Sequence, residues 1–193
     1  MASDLSVNAE RRQVELLGAD DAPLLARVYY ENGDPGPIVS ALAQVPELLV
    51  VAMPFLGMVL GASSIAARAK ELVILRTSAR VGCRFCVDAH SVVALDTGLS
   101  APEVRALRDE LPMASVFIAP ADHALLGWVD AIATPGPVRV EDRRAVLAHF
   151  PDHQVVELTM VASATVMLNR FCTALNLPTA ASVTDRLREA GLG

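Results

Sequence analysis

Apolar residues recur at helical spacing along nearly the whole chain, and strand-like alternation is nowhere sustained. That periodicity is the strongest local signal a sequence carries, because a helix buries one face every 3.6 residues and a strand one face every second residue. Patches of helical period occupy residues 22–31, 37–45, 46–60 and 64–80, and another runs from Cys83 to Thr97 and stops at Gly98. Asn32-Gly33-Asp34-Pro35-Gly36 separates the first two, since Gly and Pro punctuate local structure most strongly. Ser100-Ala101-Pro102-Glu103 reads as a helix start, with a hydroxyl at the N-cap, Pro in the first turn and Glu at N3. That helix is expected to end near Leu111-Pro112. Ala121–Ala133, Glu141–Phe150, Asp152–Leu175 and an amphipathic segment from Pro178 to Gly193 complete the pattern. The fold class is therefore all-α, with roughly eight to ten helices.

Apolar residues make up 53% of the chain but aromatic residues only 4%, so the excess is Ala, Val and Leu. Such side chains suit closely packed helices with apolar surface left to bury between subunits, and a homo-oligomer is expected. A chain of 193 residues predicts a polar lead over residues 1–20, least packed over Met1–Arg12, and one helical domain over 21–193. Net charge is −6 with no block of like charge, which excludes a nucleic-acid surface.

Leu48–Ala67 contains twenty uncharged residues, the length of a membrane span, with Gly57-x-x-x-Gly61 inside it. Pro54 and the weakly apolar Gly61-Ala62-Ser63-Ser64 argue instead for two short buried helices meeting near Gly61–Ser64, outside any membrane. No cationic segment with a following apolar run opens the sequence, so the expected location is the cytoplasm. In that reducing compartment paired cysteines are more often catalytic or metal-binding than structural.

The chemistry is concentrated in Cys83-Arg84-Phe85-Cys86-Val87-Asp88-Ala89-His90. At about 100° of rotation per residue, Cys83, Cys86 and His90 fall within an arc of roughly 60° on one helix face. Gly82 precedes the pair, so the motif opens a helix, where amide N–H groups and the positive end of the dipole favour a thiolate. Arg84 adds positive charge if its side chain turns toward the sulfurs. Glu71 lies twelve positions before Cys83 in the otherwise apolar Leu72-Val73-Ile74-Leu75 neighbourhood. An antiparallel pairing of the two helices brings it alongside His90, where a carboxylate orients an imidazole and raises its basicity. The alternative is a surface Glu paired with Arg68 along its own helix. Spacing alone leaves both open.

Glu71-x11-Cys83-x2-Cys86-x3-His90 resembles the signature of the AhpD-like alkylhydroperoxidase and carboxymuconolactone decarboxylase superfamily. Ala67-Arg68-Ala69-Lys70-Glu71 through Arg76 is similar to the family's approach to its site. Val156-Glu157-Leu158-Thr159, Met167-Leu168-Asn169-Arg170 and Leu177-Pro178 resemble its long C-terminal helix. The likeness spans residues 35–180. It implies an all-helical fold assembled as trimers or hexamers, with a dithiol site and no cofactor or metal. It further implies that Cys86 attacks a hydroperoxide, Cys83 resolves, Glu71 and His90 relay protons, and an external dithiol restores the pair. The best-studied peroxidase branch carries a histidine just before its second cysteine, where this chain has Phe85. Activation is then left to His90, Glu71 and the helix terminus, which implies weaker peroxidase turnover or a different oxidant.

Two rivals remain at this stage. Cys83, Cys86, His90 and Glu71 are four ligands of kinds that zinc accepts. Lactone decarboxylation or isomerisation also occurs in the superfamily, generally in members lacking the paired cysteines. His123, His149 and His153 read as surface or capping residues, Cys172 as a buried small hydrophobe and Trp128 as core.

Overall fold

The computed structural model describes residues 14–193; most of the expected polar lead, including Met1–Arg12, lies outside the described residues. A 3-10 helix, Leu24–Tyr30, precedes ten α-helices: α1 Pro37–Leu42, α2 Pro46–Leu60, α3 Ala67–Val81, α4 Arg84–Asp96, α5 Ala101–Leu107, α6 Met113–Val116, α7 Pro120–Ala133, α8 Val140–His149, α9 Asp152–Ala174 and α10 Ala181–Glu189. No strand occurs among the described residues, so the all-α expectation holds.

The start and stop chemistry is largely local. Pro37, Pro46 and Pro120 each occupy the first turn of a helix, where a missing N–H costs nothing. At α5 the expected capping box forms: Glu103 N–H donates to Ser100 Oγ at 3.4 Å and Ser100 N–H donates to Glu103 Oε2 at 2.8 Å. That helix nevertheless stops at Leu107, four residues before Leu111. Buried Arg76 draws the chain out of helical register, donating to the Leu107 carbonyl at 3.3 Å and to Asp109 at 2.6 Å. Asp109 adopts a left-handed φ of 62°, and the chain re-enters a helix as the short α6.

Helix α3 is the axis of the fold. Every residue from Lys70 to Ser78 is buried, and α9, α4 and α7 pack around it. Leu72, Val73 and Leu75 join Leu107, Phe117, Leu125, Leu158 and Val161 in the main core. A helix surrounded in this way must satisfy its polar side chains within the protein. Lys70 Nζ donates to the carbonyls of Gly61 at 2.6 Å and Val59 at 3.2 Å and pairs with Glu157 at 3.0 Å. Arg76 forms a two-pronged pair with Asp130 at 2.6 and 2.9 Å, and Ser78 donates to Ile74 O and Asn169 Oδ1. These bonds fix the rotation of α3, and so the direction in which Glu71 points.

The uncharged stretch 48–67 divides where expected: α2 ends at Leu60 and α3 begins at Ala67, with bends between. It is not buried as expected, because Leu48, Val51, Phe55 and Met58 lie exposed along α2. Helix α9 is the one described element long and apolar enough to cross a membrane, and its Leu158, Val161, Ala162 and Ala164 are instead buried against α3 and its neighbours. Near the start of the described chain, Leu17 N–H donates to Ser40 O, and Tyr30 Oη donates to Leu17 O at 2.9 Å. These bonds tie Leu17 to the start of the helical domain.

Candidate active site

Gly82 makes the site possible. It ends α3 at a φ of 76°, a left-handed conformation that costs glycine little, while its N–H and that of Cys83 both return to the Ser78 carbonyl. The chain reverses over two residues. Cys83 becomes the N-cap of α4, Cys86 lies in the first turn, and His90 follows one turn later on the same face.

The reversal brings Glu71 to His90. Their Oε2 and Nδ1 atoms lie 2.9 Å apart, with the Glu71 side chain 9% exposed and His90 28% exposed. The reading of Glu71 as a surface partner of Arg68 is thereby replaced: Arg68 reaches instead to Glu103 and Asp122. With Nδ1 engaged by a carboxylate, Nε2 is the His90 nitrogen left to exchange protons.

All three cysteines are free thiols and buried, and their Sγ atoms lie within 4.8 Å of one another. Cys172, expected as a buried small hydrophobe, is indeed buried, and it comes from the last turn of α9 to complete the trio. Nothing in its local sequence pointed to this, beyond its being the one remaining cysteine. Thr173, its neighbour, was likewise missed.

The trio shares its protons unequally. Cys83 is held far below the ordinary thiol range because it accepts S–H bonds from Cys172 and then Cys86; the Cys86 backbone N–H and the Thr173 hydroxyl add to the effect, while burial opposes it. Cys172 is pushed up to about 12, chiefly by donating to Cys83. Cys86 is raised further by its bonds to Cys172 and Cys83 and by burial. Proton sharing within the trio therefore favours the thiolate at Cys83 over the other two sulfurs. Arg84 takes no part: its side chain is 93% exposed and turns outward toward Asp88.

The four-ligand zinc set expected as a rival does not assemble. Glu71 and His90 face each other, and among the described residues the sulfurs of Cys83, Cys86 and Cys172 form the one cluster with metal-ligand spacing. His123, His149 and His153 join no such cluster. A cavity of about 410 Å³ opens beside the thiols, lined by Cys83, Phe85, Asp88, Cys172, Thr173 and Leu177 among others. Glu71 borders a different cavity of about 420 Å³, with Leu60, Gly61 and Lys70.

The sequence model of the carboxymuconolactone decarboxylase family matches residues 46–130, which hold Glu71, Cys83, Cys86 and His90. A crystal structure of a protein of unknown function from Agrobacterium tumefaciens, offered as a candidate antioxidant defence protein AhpD, is 27% identical; the match covers 72% of this chain and 95% of that one, with a TM-score of 0.67. Over residues 46–130 the chain is similar to the carboxymuconolactone decarboxylase family, and its fold is AhpD-like.

Two more distant structures share the superfamily's fold over greater length. A Cys-to-Ala variant of the debrominase Bmp8 in complex with 2,3,4-tribromopyrrole is 20% identical, covers 93% of this chain and 98% of its own, and has a TM-score of 0.78. A peroxidase-related protein with an AhpD core from Ralstonia eutropha is 16% identical, covers 89% and 93%, and has a TM-score of 0.76. Comparison with curated proteins gives no match. The superfamily's matched region ends at Asp130, so Cys172 lies outside it.

Proposed function

We propose that this protein is a thiol-dependent, peroxidase-like oxidoreductase that reduces hydroperoxides, organic ones included, through Cys83 and Cys86. The observation that carries the proposal is the Glu71–His90 pair at 2.9 Å, one helical turn beyond Cys86, with Cys83 at the N-cap of the same helix. His90 takes the Cys86 proton, and the Cys86 sulfur attacks the distal oxygen of the hydroperoxide. The O–O bond breaks, Cys86 becomes a sulfenic acid, and the departing alkoxide recovers the proton from His90. Cys83, having given up its proton, then attacks Cys86 Sγ, the S–O bond breaks, and the departing hydroxide takes up that proton and leaves as water. The balance is one hydroperoxide and two thiols converted to alcohol, water and a disulfide. An external dithiol reverses the oxidation by exchange. Three free thiols suit a reducing, cytoplasmic setting. Lactone chemistry has no use for a paired dithiol, which is why redox chemistry is preferred.

One equivalent of cumene hydroperoxide added to the reduced protein tests this reading. Two thiols should disappear per peroxide, and none in Cys86→Ser. Thiols that survive prolonged exposure would remove the proposal.

A second reading rests on the fold shared with a debrominase along 93% of this chain and on Phe85 and Leu177 beside the thiols. Thiolate attack on the halogen of a haloaromatic gives a sulfenyl halide and a ring carbanion, which His90 protonates; the second thiol then displaces halide to form the same disulfide. Bromide release from 2,3,4-tribromopyrrole, measured against peroxide consumption, separates the two substrates.

We also propose a homo-oligomer, trimeric or hexameric. Val51 is 68% and Met58 80% exposed on α2, and Val156 is exposed at 68% on α9. A second copy of the chain is the partner that would cover these apolar side chains.

A further inference from the structure

We propose that Cys172 is a third redox thiol, which takes over the disulfide by attacking Cys83 and so returns Cys86 to its reduced form. The inference rests on the dithiol reading above and extends it to a residue outside the superfamily's matched region.

Three observations support it. The Sγ atoms of Cys83, Cys86 and Cys172 all lie within 4.8 Å of one another, so Cys83 faces two possible partners. A disulfide needs its sulfurs at about 2.05 Å, so either pair closes with a shift of less than about 3 Å between sulfurs. Cys83 and Cys172 also line one cavity of about 410 Å³ together with Thr173, whereas Cys86 does not line it. Finally, Cys172 sits in the last turn of α9, where its carbonyl accepts from Leu177 N–H as the chain leaves the helix. A side chain at a helix end can shift with less disruption than one in mid-helix.

The step is a thiol–disulfide exchange without net oxidation. Cys172 Sγ bonds to Cys83 Sγ, the Cys83–Cys86 bond breaks, and Cys86 leaves as a thiolate that takes up the proton Cys172 gave away. The product disulfide borders the cavity, which is wide enough to admit a small dithiol. Cys86 is again a thiol beside His90 and Glu71. Oxidation by peroxide and re-reduction by dithiol are thereby given separate sulfurs.

The sequence makes the test direct. Trypsin cuts after Arg80, Arg84, Arg105, Arg170 and Arg186, which places Cys83, Cys86 and Cys172 on three different peptides. The intact wild-type protein is treated with one equivalent of cumene hydroperoxide without reductant, quenched with acid at intervals, and labelled with N-ethylmaleimide before digestion. One cysteine per chain then carries the label. It should be Cys172 at the earliest times and move to Cys86, until peptide 81–84 linked to peptide 171–186 makes up about half or more of the oxidised protein. In Cys172→Ala the first disulfide should still form, and its reduction by dithiothreitol should slow by about fivefold or more. A label that stays on Cys172 at all times overturns the proposal and leaves the dithiol reading intact. A label on Cys83 overturns the route through that sulfur. Absence of any linked peptides overturns the dithiol reading itself. Wild-type mapping decides the matter even if the variant fails to fold.

Discussion

Glu71 Oε2 and His90 Nδ1 stand 2.9 Å apart across two helices that one left-handed glycine, Gly82, turns back on each other. Glu71 belongs to the buried stretch Lys70–Ser78 of α3, and the anchoring of Lys70 just before it leaves the carboxylate little freedom to rotate away. The imidazole therefore has a defined orientation before any substrate arrives, which is the condition for efficient proton transfer.

Glu71→Gln keeps the shape of this contact and removes its charge. Peroxide-driven thiol loss should slow by about tenfold, and His90→Ala by on the order of a hundredfold. Rapid-quench thiol counting across pH gives both numbers. A pH–rate profile identical to wild type in Glu71→Gln would count against the relay.

The shared proton arrangement of the three thiols has an optical signature. Because Cys83 is held below the ordinary thiol range while Cys86 and Cys172 are raised, lowering the pH below about 8.5 should not remove all thiolate. About one equivalent of thiolate absorbance near 240 nm should persist at about pH 6, where an unperturbed thiol is protonated. Cys83→Ser should abolish it. Cys172→Ser retains a hydroxyl donor and should leave most of it.

Gly82→Ala tests the turn without touching a side chain of the site. A Cβ there meets no atom within 4 Å, so the cost comes from the left-handed φ of 76° alone. It should be about 1 kcal/mol, or about 2–4 °C in Tm for a chain of this size. Thermal unfolding followed by circular dichroism measures it. A fall in peroxide reactivity larger than the loss of folded protein would show that the turn also sets the position of Cys83.

Met58→Glu addresses the assembly. It puts a charge on a side chain that is 80% exposed in the single chain and, in the proposed oligomer, covered by a second copy. Light scattering should report a smaller particle than wild type with helical content unchanged. An unaltered mass would place the interface elsewhere.

The residues around Gly82 show how far one sequence can be read. Helical period, Gly and Pro breaks and the Ser100–Glu103 capping box depend on neighbours a few positions away, and the structure reproduces them. The common face of Cys83, Cys86 and His90 is of the same kind, since helical geometry alone puts it there. Glu71 was within reach because one short reversal separates its helix from that of His90. Long-range forces override local signals elsewhere: the early stop of α5 depends on Arg76, 31 residues from the Leu107 carbonyl it binds. Arg84 seemed able to face the sulfurs, but it follows Cys83 on a turn that sends it to solvent. Cys172 was the largest omission. Its place beside Cys83 depends on how α9 packs along α3, and no local spacing encodes the register of two helices from distant parts of a chain. The helices and the dithiol–histidine face follow from short-range geometry and are written in the local order of residues. The third sulfur joins the pair through burial and helix packing, which act between distant parts of the chain.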